Sequence, residues 1–163
     1  MEVNKVNWSS VIDDPLLADL PFKIELNEWG KIEMTPASNL HGMLQTAIAF
    51  LLKEKMPSGK AFVECSIQTS KNVKVADVVW CSTAFLQRHG TITPYPAAPE
   101  IVVEVASPNN LLAELVDKRL LYFEQGAQEV WLCEDSGAML FYRPDGKLAQ
   151  SVLCPGFPQT VDA

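Results

Sequence analysis

Three ionisable side chains sit among neighbours that do not suit them. Asp77 lies in KVADVVW (residues 74–80), a run of β-branched and aromatic residues. Strands disfavour Asp and burial penalises its charge, so it needs a metal, a cation or hydrogen-bond donors. Glu104 stands inside Ile101-Val102-Val103-Glu104-Val105, a sequence that fills a buried central strand. Lys118 follows on the next amphipathic segment, on one line with Leu111, Leu115 and Tyr122. On a helical wheel Arg119 lies as deep as Lys118, and either cation can also be read as a side chain whose stem packs while its charge reaches water.

Two carboxylates on adjacent strands repel, and they call for a cation between them. Oxygen-only ligands with room for water suit Mg²⁺ or Mn²⁺. With a lysine from the following helix to assist the attacking water, this set performs phosphodiester hydrolysis. Glu25 and His41 are further polar candidates. Glu25 alternates with Ile24 and Leu26, which on spacing alone reads as a solvated strand position. His41 shares a helix flank with Gln45 one turn on. Its plain reading is a polar flank residue, although a first helical turn also attracts anions.

The elements that must position these residues follow from periodicity and turn chemistry. Residues 1–21 read as an arm, with Ser9-Ser10 as a cap, a helical turn at Asp13-Asp14-Pro15, and Trp8, Leu16, Leu17 and Leu20 pinning it to the core. Residues 22–35 read as a hairpin turning at Asn27-Glu28-Trp29-Gly30, with Ile32 and Met34 sharing a face. A helix capped by Ser38 or Asn39 and running to about Lys55 carries Leu40, Leu44, Ile48 and Leu51 as its stripe, widened by Met43, Ala47 and Leu52. Ala61–Thr69 and Val73–Cys81 are antiparallel strands, with Val75, Asp77 and Val79 expected on one face and Ala76, Val78 and Trp80 on the other. A short helix ends at Gly90, and the prolines at 94, 96 and 99 imply a stiff surface connector. After the Ile101–Val105 strand and a turn at Ser107-Pro108-Asn109-Asn110, a helix runs to about Gln125. Strands at Glu129–Glu134 and Ala138–Arg143 and a last one near Ala149–Leu153 complete the chain.

The 163 residues suit a single domain of mixed α/β (α+β) class. A net charge of −7 argues against unspecific grip on nucleic acid by a basic surface, though a local basic groove remains compatible with it. Lys71, Lys74, Lys118 and Arg119 are the cations placed for such a groove. With no run of ~20 apolar residues, no membrane span is expected, and with no apolar signal core the protein is expected to be cytoplasmic. Cys65, Cys81, Cys133 and Cys154 show no C-x-x-C spacing and read as reduced, buried residues.

The runs KVADVVW, PEIVVEVASPNN and DKRLLYFEQGAQEVWLCED, with FKIELNEWGKIEMTPASNLHG upstream, resemble the Uma2 family of restriction-endonuclease-like proteins. That family is placed in the PD-(D/E)XK nuclease superfamily, and the resemblance spans residues 22–143, with 1–21 as an N-terminal arm. It implies a mixed central sheet flanked by helices, metal-dependent DNA cleavage, and a homodimer. Carried over by position, Asp77 and Glu104 are the two acids and metal ligands. The peptide oxygen of Val105 is a further ligand, Lys118 is the catalytic lysine, and Glu25 and His41 complete the polar site. Two departures from the superfamily stand out: Ala76 where Pro precedes the first acid, and Ala106 where a lysine follows the second. The family itself carries the lysine on the helix. Two other readings compete with a DNA endonuclease: a non-catalytic interaction domain that keeps the fold, and a hydrolase of a smaller phosphate ester, which tolerates an acidic surface better.

Overall fold

The computed structural model describes residues 6–107 and 112–163. The expected turn at 108–110 and the stripe residue Leu111 lie outside them. The described elements are α1 (Trp8–Asp13), β1 (Phe22–Leu26), β2 (Ile32–Pro36), α2 (Asn39–Lys55), β3 (Lys60–Thr69), β4 (Asn72–Cys81), α3 (Thr83–His89), β5 (Ile101–Val105), α4 (Leu112–Glu124), β6 (Glu129–Cys133), β7 (Met139–Arg143) and β8 (Gly146–Leu148). Strands β3 to β8 form one sheet in sequence order, and β1 and β2 form a separate hairpin. Among the strand pairs of the described residues β5–β6 is parallel, joined by the α4 crossover, and the others are antiparallel, so the sheet is mixed and flanked by helices as expected.

The central strands are apolar on both faces because helices cover both. Ile101, Val103 and Val105 pack with Val78, Trp80, Trp131 and Phe141 under Leu44, Ile48 and Leu52 of α2. Val102, Val79 and Val130 pack on the other side with Tyr122 of α4 and Tyr95. Ser38 caps α2, accepting from the His41 amide at 3.1 Å. No helix among the described residues is long and apolar enough to cross a membrane.

Several expectations need correction. The cap of α1 is Asn7, and Ser9-Ser10 lie inside the helix. Trp8 and Val11 pin the arm, whereas Leu16 is 82% exposed and Leu20 also reaches solvent. In α2 the expected Leu44, Ile48 and Leu52 are buried and Leu51 packs partly against the core, but Gln45 is buried with them while Leu40 and Met43 are exposed. Met34 is exposed, since the hairpin packs on the sheet through β1 and leaves most of β2 to solvent. The proline-rich connector is not a free surface segment. Tyr95 is buried, its amide donates to Ser66 and its carbonyl accepts from Gln68, which closes part of the β3 edge. The last strand is β8 at Gly146–Leu148; residues 149–153 are irregular, with the Val152 and Leu153 amides donating to Glu129 instead of to a strand.

The alternation predicted for β4 also fails, and it fails at the acid. Ladder pairs run Val63↔Val78 and then Cys65↔Ala76, leaving Glu64 and Asp77 unpaired between them. Glu64 takes a left-handed φ of 57°, rare for a residue with a side chain. The pleat switches there, so Ala76 packs with Val79 rather than with Val78. Opposite, the β4–β5 ladder closes at Val78↔Val103. The sheet is thus loosened on both sides of Asp77.

Candidate active site

The loosened end of β4 and β5 opens into a cleft of about 250 Å³. Asp77, Glu104, Lys118, Glu25 and His41 all line it, as does Val105. β4 supplies Asp77 and β5 supplies Glu104, both 1% exposed. α4 brings Lys118 in from one side, α2 brings His41, and β1 brings Glu25 across the top. Arg119 points elsewhere: its guanidinium stacks over the Tyr142 ring at 4.0 Å. The structure therefore separates the two helix cations that the wheel left level.

Where the β4–β5 ladder would continue, the Val105 amide donates to Asp77 Oδ2 at 2.7 Å. The Asp77 peptide oxygen accepts from Gln45 Nε2 at 2.9 Å, and the same amide group donates to Glu64 Oε1 at 2.8 Å. Side chains thus replace the missing strand bonds and fix the Asp77 carboxylate at the cleft floor. Asp77 Oδ1 faces His41 Nε2 at 3.2 Å. Glu104 Oε1 accepts from the Tyr122 hydroxyl at 2.6 Å, leaving Oε2 toward the cleft.

Sequence reasoning missed Lys23. Its Nζ lies 2.9 Å from Asp77 Oδ1, 3.4 Å from Glu104 Oε2 and 3.9 Å from Glu25 Oε1. The cation that two close carboxylates require is thus supplied from β1. Glu25, read from spacing as solvated, is 7% exposed. It accepts from Lys118 Nζ at 2.8 Å and from the Val75 amide at 2.9 Å. Strand periodicity separates Lys23 and Glu25 from Ile24 and Leu26, but the face they share turns onto the sheet rather than into water. Their spacing of two residues was the available signal, because it puts an acid and a base side by side on one strand face. Lys118 Nζ is also 3.6 Å from Glu104 Oε2.

Burial and charge set the protonation of this cluster in opposite directions. Burial pushes the Glu104 carboxyl up to about 7, against the pull of Lys118 and Lys23. For Asp77 burial acts upward too, but Lys23 and the hydrogen bond from His41 outweigh it and hold the carboxyl well below its ordinary value. Glu25 is lowered likewise, with Lys118 and Lys23 overcoming its burial. Burial works against the Lys23 ammonium, yet Glu104, Asp77 and Glu25 raise it above the ordinary lysine value. His41 is raised chiefly by its hydrogen bond to Asp77.

The donor chemistry fits a hard divalent ion. Two carboxylate oxygens, from Asp77 and Glu104, converge on one point now faced by an ammonium. Among the described residues no group of three His, Cys, Asp or Glu side chains gathers to close a metal site. An ion bound here would keep several waters, as Mg²⁺ commonly does. The four cysteines are free, buried and dispersed, as expected.

Comparison with known proteins agrees with this architecture. No curated protein matches the chain. Among solved structures it is similar to a "putative nuclease belonging to DUF820" from Anabaena variabilis, with 20% identity and a TM-score of 0.62, over 78% of this chain and 73% of that one. At that identity the likeness concerns the fold. The family model of Uma2, described as "putative restriction endonuclease", matches residues 17–162, a wider span than the 22–143 that the motifs marked. The chain belongs to the Uma2 family.

Proposed function

We propose that this protein is a divalent-metal-dependent endonuclease that hydrolyses DNA phosphodiester bonds in the cleft between β1, α2 and α4. The observation that carries this reading is the convergence of Asp77 Oδ1 and Glu104 Oε2 on a single cation position, with the Lys118 ammonium 3.6 Å from the second carboxylate. Asp77 and Glu104 would hold Mg²⁺ or Mn²⁺, with the Val105 peptide oxygen as a further ligand. Bound there, the ion supplies Lewis acidity toward the phosphoryl oxygen and a more acidic attacking water.

The chain's own residues set up the rest. The Val105 amide and Gln45 fix Asp77 from two directions, so its carboxylate need not reorganise on substrate binding. Tyr122 turns one Glu104 oxygen inward and leaves the other for the cleft. Lys118, held by Glu25, orients the attacking water and offsets charge developing on the phosphoryl group. His41 faces Asp77 Oδ1, the oxygen that Lys23 also contacts, and donates toward it when protonated. Lys71 also lines the cleft, paired with Asp117, and is a basic contact for the phosphate backbone, whereas Lys74 is buried with its ammonium on the Leu26 carbonyl.

A plasmid-nicking assay in Mg²⁺ or Mn²⁺ tests the reading. Wild type should convert supercoiled to nicked or linear DNA, chelation should abolish this, and Asp77→Asn should be inactive. Wild type inert on every DNA form with either ion would sink it. One observation favours a smaller substrate: Glu33, Glu114 and Asp117 also line the cleft and repel a long polyanion. Turnover of a phosphate monoester with no turnover of plasmid would establish that alternative.

A further inference from the structure

We infer that Lys23 is a resident counter-ion occupying the seat of the divalent metal, so that metal loading is an exchange in which the Lys23 ammonium must leave. This inference rests on the metal-dependent reading above. Lys23 Nζ contacts Asp77 Oδ1 at 2.9 Å and Glu104 Oε2 at 3.4 Å, the same two oxygens that would hold the ion. Its side chain is only 12% exposed, so the ammonium is enclosed rather than draped over the rim. An ammonium and a metal ion cannot both lie within bonding distance of one pair of carboxylate oxygens. The two occupants therefore exclude each other on steric and charge grounds alike.

Charge arithmetic at the cleft gives the exchange its function. Asp77, Glu104 and Glu25 face Lys23 and Lys118, so the ionised cluster is nearly balanced without any metal. Lys23 comes from the β1–β2 hairpin, which is not hydrogen-bonded into the main sheet's ladder. Its departure disturbs no strand pairing within β3–β8. The protein thus holds its acids in place while metal-free, at the cost of weaker apparent metal affinity, because the ion binds only the fraction of molecules in which the lysine is out. The displaced ammonium stays tethered beside the cleft, next to where a phosphate would enter.

Two measurements with the metal alone test this. Calorimetry with Mg²⁺ and Mn²⁺ compares wild type with Lys23→Met, which should bind roughly tenfold tighter if the lysine holds the seat about nine-tenths of the time. Acylation of wild type by an amine-reactive reagent, read by mass spectrometry, should show Lys23 labelling several-fold faster at saturating metal. Exposed Lys53 and Lys55 serve as internal references and should not change. If wild type binds metal but Lys23→Met binds equally or more weakly, or Lys23 labelling is unmoved at saturation, the exchange is wrong and the metal-dependent reading survives. Failure of both proteins to bind either ion overturns both. Should Lys23→Met not fold, the labelling of wild type decides alone.

Discussion

Two buried glutamates on neighbouring parallel strands make an instructive pair. Glu104 on β5 and Glu129 on β6 are each 1% exposed; Glu104 interrupts an apolar run, whereas Glu129 opens one. Glu129 is closed by neutral donors on all sides. Trp131 Nε1 and Ser151 Oγ donate to one oxygen at 2.8 and 2.7 Å, and the Val152 and Leu153 amides donate to the other at 2.8 and 2.9 Å. Among the described residues no salt bridge reaches it, and it ties the C-terminal segment to the sheet. Glu104 keeps one oxygen on Tyr122 and offers the other to two lysines at the floor of a cleft. Burial of an acid is therefore no sign of chemistry by itself. What separates the closed, structural carboxylate from the candidate catalytic one is an oxygen left to charged partners at a cleft.

That contrast predicts effects of different kind and size. The largest should be on folding: Glu129→Ala strands an indole N–H, a hydroxyl and two amides, and should cost about 3–5 kcal/mol in urea denaturation. Proteolysis should then attack the tail near Ser151 first. If Glu129→Ala is as stable as wild type, the claim that its carboxylate anchors the tail fails. Asp77→Asn and Glu104→Gln should show the reverse pattern, with hydrolysis down by at least ~100-fold (about 2.7 kcal/mol of barrier) and a stability change of about 1–2 kcal/mol. Site variants that unfold as readily as Glu129→Ala would erase the distinction.

The pH dependence of stability sharpens the comparison further. Asp77 and Glu25 sit below their ordinary values of 3.8 and 4.5, so the unfolded chain takes up protons first as the medium acidifies. Their contribution is complete above about pH 4.5 and drains away below it, and Asp77→Asn should flatten that acid limb. Glu104 runs the other way. Raised to about 7, it favours the fold most below pH 4.5 and loses that contribution as pH climbs through 7. Glu104→Gln should remove this second, opposite slope in denaturant midpoints measured from pH 4.5 to 8. A smaller effect is expected from Tyr122→Phe. Deleting the hydroxyl frees Glu104 Oε1 and should cost about 1 kcal/mol or less, with the main loss in turnover rather than stability.

Much of the site was legible because chemistry out of place is visible in sequence. Asp77 and Glu104 stand out against β-branched neighbours, while helical spacing offers Lys118 and Arg119 alike and only the family pattern prefers Lys118. The two-strand, helix, strand order also foretold that the acids would be neighbours. Spacing assigns a residue to a face, however, and not a cover to that face. Lys23 and Glu25 occupy the polar side of an alternating strand, which reads as solvent until the hairpin is seen folded over the sheet. Glu129 is the converse case: it stands at the start of EVWLCE beside Gln128, where a polar residue looks ordinary, and nothing local says that residues 151–153 fold back to donate to it. The switch of pleat at Glu64 and Asp77 was illegible for a different reason. Alternation arguments assume an unbroken ladder, and here a left-handed Glu64 and the Gln45 amide take the place of a strand pair.

The bonds that replace that ladder give the molecule a built-in reporter. The Val105 amide is held by Asp77 and the Val75 amide by Glu25, so two main-chain hydrogens deep in the sheet depend on side chains of the proposed site. Their exchange with deuterium measures how often the cleft loosens, separately from unfolding of the strands on either side. Any ligand that draws Asp77 or Glu25 away from these amides will register there as faster exchange, whether or not a bond in that ligand is ever cut.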